Sequence, residues 1–138
     1  MNNYIIDGRN IKDMQSLCGE FASAVNAPDG YFGKNFQSFD DCLFGGFGLE
    51  APCKIVWKYS ADSKKHLDCQ MLEQYCEDIL ENNPEFHEPD FEEGKAWCLD
   101  TLKKAKLGER DFYDEIVDAI SSVSERASFD YKVELVLE

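Results

Sequence analysis

Residues 30–43 read GYFGKNFQSFDDCL and place amide and acidic side chains at a spacing suited to recognising a cation. If the segment is helical, Gln37, Asp40, Asp41 and Phe44 fall on one side, at i, i+3, i+4 and i+7. Neighbouring carboxylates repel each other unless a cation meets them. Because carboxylate–arginine pairs are bidentate and charge-assisted, this side predicts a surface for a basic partner. A solvated helix face without a partner is the alternative.

The opposite side of the same helix carries an apolar stripe. Phe36, Phe39 and Leu43 recur at i, i+3 and i+7, and Phe32 leads into that side. Four aromatic residues also frame the polar side at its two ends: Tyr31, Phe32, Phe44 and Phe47. Aromatic residues are common anchors of protein interfaces, but aromatics close to a strand are usually buried. Both assignments stay open for these rings, which are candidate partner-binding residues.

The charge of the chain favours the same kind of partner. Its 138 residues include 14 Lys and Arg against 28 Asp and Glu, a formal net charge of −14. Such a chain repels nucleic acid and anionic membranes and attracts basic partners, although solubility alone also explains many acidic proteins. The first residues lack the pattern of a signal peptide, and no run approaches the ~18 apolar residues of a membrane span. We therefore expect a cytoplasmic protein with six reduced cysteines.

Motifs that would indicate an enzyme or a metal site are weak. The glycines of residues 45–48 lack the spacing of a phosphate-binding loop. His66, Cys69 and Cys76 fit no compact zinc motif, and the two cysteines share one helix face. The chain has two histidines, and adjacent aspartates are poorly placed to flank a scissile bond. The sequence therefore predicts a protein that is not an enzyme and holds no metal or cofactor.

Apolar periodicity and turn residues divide the chain into strands and helices. Strands are expected at residues 4–8, 53–57 and 131–137, and helices at about 13–26, 33–44, 63–82, 92–106 and 112–126. Parallel neighbours need a dozen or more residues between them. This order predicts one α/β domain over residues 1–138, with a three-stranded, mainly parallel sheet and flanking helices.

The segment at 68–100 has an unusual composition. It contains eleven Asp or Glu residues and one lysine, Lys95. Its first half is too apolar for a disordered tail, so it predicts a folded, acidic helical insertion. Breaks are expected at Asn83–Pro84 and at Pro89.

The order of these segments resembles the barstar family, whose founding member is an intracellular inhibitor of an extracellular ribonuclease. The most specific part is YFGKNF at residues 31–36, and SKKHL at 63–67 matches further on. The resemblance covers residues 3–67 and 112–138 and fails over about 68–111, the insertion. It implies that Asn35 leads into the inhibitory helix. It also implies that Asp41 aligns with the aspartate that takes the place of a substrate phosphate in the ribonuclease.

Departures from the family pattern concentrate on the polar face. Gln37 stands where the founding member has another acidic contact, and Asp40 replaces a tryptophan. Ser121 or Ser122 lies near the position of a further acidic contact on the last long helix. The polar face therefore differs from that of the founding member, although Asp41 is kept. This difference indicates a different cognate nuclease.

Together these features predict an antitoxin or immunity protein that blocks a basic ribonuclease or toxin nuclease domain, in a 1:1 complex. The helix at 33–44 would fill the active site, with Asp41 as the phosphate mimic. Asp40, Gln37 and Tyr31 would set the fit. The alternative is a protein-binding adaptor of the same fold that inhibits no nuclease.

Overall fold

The computed structural model describes residues 1–82 and 92–138. Its strands are β1 (Asn2–Asp7), β2 (Cys53–Lys58) and β3 (Val133–Leu137). Its helices are α1 (Met14–Ala24), α2 (Phe36–Cys42), α3 (Ser60–His66), α4 (Cys69–Asn82), α5 (Glu92–Lys106), α6 (Phe112–Ser121) and α7 (Val123–Arg126). Within these residues, no helix has the length and apolar character needed to cross a membrane.

The strands form one parallel sheet in which β2 lies between β1 and β3. In the register, Ile6 pairs with Trp57, and Trp57 pairs with Leu137. Ile6, Ile55 and Trp57 are completely buried. Since alternate residues of a strand point to the same face, the side of the sheet that carries them packs against the core. The predicted α/β fold with a three-stranded parallel sheet is confirmed.

The chain divides into two compact units, and unit 1 comprises Met1–His66 together with Glu115–Glu138. It contains all three strands of the described residues. Its core combines one face of the sheet with apolar side chains from the helices and from the residues that flank α2: Leu17, Phe21, Phe32, Phe39, Leu43, Ile116, Ile120 and Val123. The polar face predicted around Asp41 belongs to this unit.

Unit 2 comprises Leu67–Asp114. Its helices α4 and α5 pack against each other and bury Leu72, Cys76 and Cys98. The two ends of the unit are hydrogen-bonded to each other, because the amides of Phe112 and Tyr113 donate to the carbonyl oxygens of Asp68 and Leu67, at 3.2 and 3.0 Å.

The predicted helix at 92–106 is confirmed as α5, and the predicted insertion at 68–111 falls inside the bounds of unit 2. The breaks expected at Asn83–Pro84 and Pro89 lie outside the described residues. The assignment of residues 1–138 to one domain stays a prediction.

Four predicted helices have other bounds in the structure. The helix expected at about 13–26 is Met14–Ala24. The helix expected at 33–44 is shorter, Phe36–Cys42. The helix expected at 63–82 is two helices, because the Asp68 carboxylate accepts a hydrogen bond from the Met71 amide (2.9 Å) and so starts α4 anew. The helix expected at 112–126 is likewise divided into α6 and α7, at Ser122.

Candidate protein interface on helix α2

The N-terminus of helix α2 is capped by two polar residues, Asn35 and Ser38. The Asn35 side chain accepts a hydrogen bond from the Ser38 amide (2.8 Å), and the Ser38 hydroxyl accepts one from the Asn35 amide (3.0 Å). This capping box satisfies backbone donors that the first turn of a helix leaves unpaired. Asn35 was predicted as a partner-binding residue, and the structure gives its side-chain oxygen a capping role.

Gly33 sets the path of the chain just before the cap. Its φ of +96° is in the left-handed region that side chains disfavour, and a Cβ there would lie 2.6 Å from the backbone nitrogen of Phe39. Only glycine therefore fits this approach. The segment before the cap is thus a tight loop, which explains why the helix starts three residues later than predicted.

The buried side of α2 packs into an aromatic cluster. The Phe39 ring lies edge-on to Phe21 and Phe32, with centroids 5.0 and 5.7 Å apart, and Phe21 stacks on Phe32 at 5.3 Å. Phe32 has 1% of its surface exposed. Phe32, one of the candidate partner contacts with a core position as the alternative, is therefore a core residue in the structure, because its ring fills the space between α1 and α2.

The exposed side of α2 presents Asp41 and Gln37 to solvent. Within residues 1–82 and 92–138, neither side chain has a hydrogen-bond or ion-pair partner. Asp41 therefore offers a carboxylate whose acceptor sites are all available to another molecule. These two residues lie together on one side of the helix, as the spacing predicts.

Asp40 is in a different situation from its neighbour. Its two carboxylate oxygens accept hydrogen bonds from the Nη1 and Nη2 atoms of Arg126, at 2.8 and 2.7 Å. The Asp40 side chain is 22% exposed and that of Arg126 is 39% exposed. Such a bidentate pair joins α2 to α7 across 86 positions of sequence. The cation that meets Asp40 is thus supplied by the protein itself.

The Arg126 guanidinium has further partners around it. Its Nε donates to the Ser122 hydroxyl (2.9 Å), and Nη2 donates to the Ala119 carbonyl (2.8 Å). Its carbon Cζ lies 5.1 Å from the centre of the Phe44 ring, within the range of a cation–π contact. The hydrogen bond to Asp40 raises the pKa of Arg126, so the guanidinium stays charged. Phe44 is half-buried and supports this cluster.

Sequence reasoning did not identify Arg126 as part of the site. It did single out Ser121 and Ser122 as the positions near a further family contact. In the structure, Ser122 accepts a hydrogen bond from Arg126, while Ser121 is exposed. An arginine one helical turn after Ser122, next to an acidic face, is the signal that could have indicated the cluster.

The remaining candidate rings form an exposed pair beside the helix. Tyr31 is 39% exposed and Phe47 is 37% exposed, and their ring centroids are 5.8 Å apart. Exposed aromatic rings of this kind supply rigid contact area. The structure therefore brings Tyr31 and Phe47 together, with Gln37 and Asp41 exposed on the helix that follows Tyr31.

Thiols beneath α2 do not add a nucleophile to this surface. Cys42 is buried, and its burial, with the nearby Asp41 carboxylate, raises the pKa of its thiol. Burial also raises the pKa of Cys18 to about 11. Because the thiolate is the reactive form of cysteine, both groups are inert at neutral pH. The chemistry of the surface is recognition by charge, hydrogen bonding and aromatic contact.

Comparison with known protein families identifies the family of this chain. The family model described as "Barstar (barnase inhibitor)" matches residues 1–93, about two thirds of the chain. The chain therefore belongs to the barstar family. A protein from Bacillus subtilis named "Putative ribonuclease inhibitor YrdF" is 32% identical over 81 residues, which cover 59% of this chain and 80% of that protein.

These matches confirm the family suggested by the sequence. They also support a role in ribonuclease inhibition, since the family's members are inhibitors rather than enzymes. The family match extends to residue 93 and so includes part of the segment predicted as an insertion, while it leaves out residues 112–138.

Proposed function

We propose that this protein inhibits a ribonuclease by placing the exposed side of α2 in the enzyme's active site. The observation that carries the proposal is the Asp41 carboxylate, which is exposed and has no partner among the described residues. It lies on the helix that the family resemblance assigns to inhibition. A ribonuclease binds phosphates with Arg, Lys or His, and Asp41 would meet such a group in place of a phosphate.

Contacts around Asp41 would set the fit. Gln37 offers an amide on the same side of the helix, and the exposed rings of Tyr31 and Phe47 would pack against the rim of the active site. Blocking needs no chemical step by the inhibitor. One copy of the helix fills one active site, so the expected stoichiometry is 1:1.

The charge of the whole chain suits such a partner. With a net charge of −14, the protein attracts a basic enzyme over distances of about one Debye length, roughly 10 Å at 0.1 M salt. Electrostatic steering raises association rates above those of neutral encounters. Fast capture is what a cell needs when a toxin nuclease is present in its own cytoplasm. We therefore propose the role of antitoxin or immunity protein, acting in the cytoplasm.

A second candidate function is a barstar-fold adaptor that binds a basic protein without inhibiting a nuclease. The ion pair between Asp40 and Arg126 favours this function, because it leaves Asp41 as the one carboxylate of the two adjacent aspartates that is unpaired among the described residues. The contact surface is therefore less acidic than the sequence suggests. The two functions differ in one observable: a complex that silences RNA cleavage belongs to the inhibitor, and a complex that only forms belongs to the adaptor.

An RNA-cleavage assay tests the proposal directly. A panel of small basic bacterial ribonuclease domains, including barnase, would be assayed with and without the protein. Stoichiometric inhibition of one member, lost in Asp41→Ala and weakened by salt, is the expected result. Glu93→Ala removes an exposed acid of unit 2 and serves as the matched control.

The other outcomes are equally informative. Inhibition that survives Asp41→Ala unchanged would keep the function and reject α2 as its site. A stable complex that leaves RNA cleavage intact would favour the adaptor.

A further inference from the structure

Most of the N–H groups of the Arg126 guanidinium donate hydrogen bonds within the protein. A guanidinium has five N–H donors. Four of them are used here: Nε on Ser122, Nη1 on Asp40, and Nη2 on both Asp40 and Ala119. One Nη1 hydrogen is left without a partner among the described residues. The side chain is nevertheless 39% exposed, so its positive charge is felt at the surface.

The consequence for Asp40 is a loss of attraction for an outside cation. Each of its oxygens already accepts a short, charge-assisted hydrogen bond, and the side chain is 22% exposed. A second cation brought up to Asp40 would also approach Arg126, which carries the same charge. The exposed side of α2 therefore presents, at Asp41, a carboxylate that is unpaired within the described part of the chain. Next to it lies the ion pair of Asp40 and Arg126, whose guanidinium is partly exposed.

We infer that Arg126 is a specificity-determining residue of the inhibitory surface, an inference that rests on the proposed function. It restricts inhibition to ribonucleases whose active site places one cation opposite Asp41 and a neutral or acidic group opposite Asp40. Ribonucleases with two adjacent cations at these places are rejected, because the second one would face Arg126. Discrimination by like-charge repulsion is a common device of specific interfaces.

A purely structural role for Arg126 makes a different prediction. If the residue only holds α7 against α2, its removal lowers stability and weakens binding to every ribonuclease by the same factor. If it selects the partner, its removal changes the ratio of the affinities for different ribonucleases. The ratio is thus the readout that separates the two roles.

The substitution that tests this is Arg126→Gln, which removes the charge and frees the Asp40 carboxylate. A closely matched control exists in unit 1. Arg9 also forms a bidentate pair, in which its Nε and Nη2 donate to the Asp7 carboxylate at 3.0 and 2.8 Å, and its Cζ lies 4.1 Å from the centre of the Tyr59 ring. Arg9→Gln therefore removes the same charge and a similar, more exposed ion pair at a place remote in sequence from α2.

Inhibition constants would be measured for the wild-type protein and both variants against the same ribonuclease panel, barnase included. The panel members would be sorted by whether their phosphate-binding groove carries one cation or two adjacent ones. We expect Arg126→Gln to improve inhibition of the two-cation group relative to the one-cation group by tenfold or more. The salt dependence of binding should become steeper as well, because one more carboxylate is available. Arg9→Gln should change neither quantity.

A uniform change of all inhibition constants by Arg126→Gln would overturn the inference while inhibition by the wild-type protein still stands. An equal shift of the ratio in Arg9→Gln would overturn it too, since it would then reflect net charge alone. If the wild-type protein inhibits no ribonuclease of the panel, the proposed function fails, and the inference fails with it.

Discussion

The two sides of residues 31–47 make opposite use of similar side chains. On the buried side, Phe32 and Phe39 pack into a core with Phe21, and each has at most 1% of its surface exposed. On the exposed side, Tyr31 and Phe47 form a ring pair that remains more than a third exposed. Adjacent residues thus lie on opposite sides, one in the core and the other on the surface proposed to meet a partner. The tight loop at Gly33 and the cap at Asn35 produce this division.

The same contrast holds for the two adjacent aspartates. Asp40 is fixed by Arg126 and contributes to the way α2 is held, whereas Asp41 has no partner among the described residues. Neighbouring positions with identical side chains can therefore have distinct roles. The following predictions test whether the division between the two sides is as sharp as the contacts indicate.

The largest effect is expected from the buried side. Phe32→Ala should lower the free energy of unfolding by about 3–5 kcal/mol, since it removes a ring from a packed aromatic cluster. Tyr31→Ala, one residue earlier, should cost far less stability and weaken ribonuclease binding instead. Urea denaturation of both variants measures the difference. Equal losses of stability would mean that the two rings are not divided between core and surface.

The next effect is expected at Asp41. Asp41→Ala should weaken binding of the cognate ribonuclease by about 2 kcal/mol or more, roughly thirtyfold in Kd, if Asp41 meets a cation at the centre of the interface. Its stability should stay near that of the wild type, because the side chain has no internal partner among the described residues. Calorimetry with the cognate enzyme and with Glu93→Ala as the control checks both statements. A weak effect on binding would move the centre of the interface away from α2.

The thiols of the buried side predict a loss of stability in alkali. Burial raises the pKa of Cys18 from 9.0 to about 11. Above pH 9 the thiol ionises in the unfolded chain but stays neutral in the folded protein, so unfolding becomes more favourable as pH rises. By pH 10 this thiol should cost about 1 kcal/mol, and Cys42, whose pKa is also raised, adds to the loss.

Thermal melts between pH 7 and 10.5 measure this dependence. The variant Cys18→Ala should be less stable at neutral pH but should lose less stability on going to pH 10. A variant that follows the wild-type slope would show that Cys18 does not contribute to it.

The smallest effect is expected from the ion pairs. Arg126→Gln should lower stability by about 1 kcal/mol or less, because the pair with Asp40 is partly shielded from solvent and joins two distant segments. Arg9→Gln should have a smaller effect, since Arg9 and Asp7 are two residues apart and more exposed. Melting temperatures of the two variants, measured side by side, test this order. A reversed order would show that the long-range pair does not hold α2.

The sequence predicted the fold where the physical signal was local and repeated. Runs such as Cys53–Trp57 are short and mainly apolar, and long segments with helical periodicity lie between them. This pattern is enough to predict parallel strands joined by helices. The exposure of Asp41 and Gln37 followed from their spacing opposite Phe39. The start of α2 was missed although the capping residues Asn35 and Ser38 are visible in the sequence. Their effect depends on the backbone turning sharply at Gly33.

Other features depend on tertiary structure and could not be predicted in this way. The pairing of Asp40 with Arg126 joins positions 86 apart, and no periodicity links them. The burial of Phe32 depends on the space between α1 and α2, because an aromatic residue beside a loop can turn either way. Site residues on one helix were thus predictable, and their partners on other helices were not.

The hydrogen bonds that join the two ends of unit 2 have a consequence for protein engineering. Unit 2 begins at Leu67 and Asp68, and Phe112 and Tyr113, close to its end, are hydrogen-bonded to that beginning. A segment whose ends meet in this way can be shortened, lengthened or exchanged while the spacing between its two attachment points is kept. A short turn, a fluorescent reporter or an affinity tag grafted between these positions would therefore meet the same geometric requirement as the native segment.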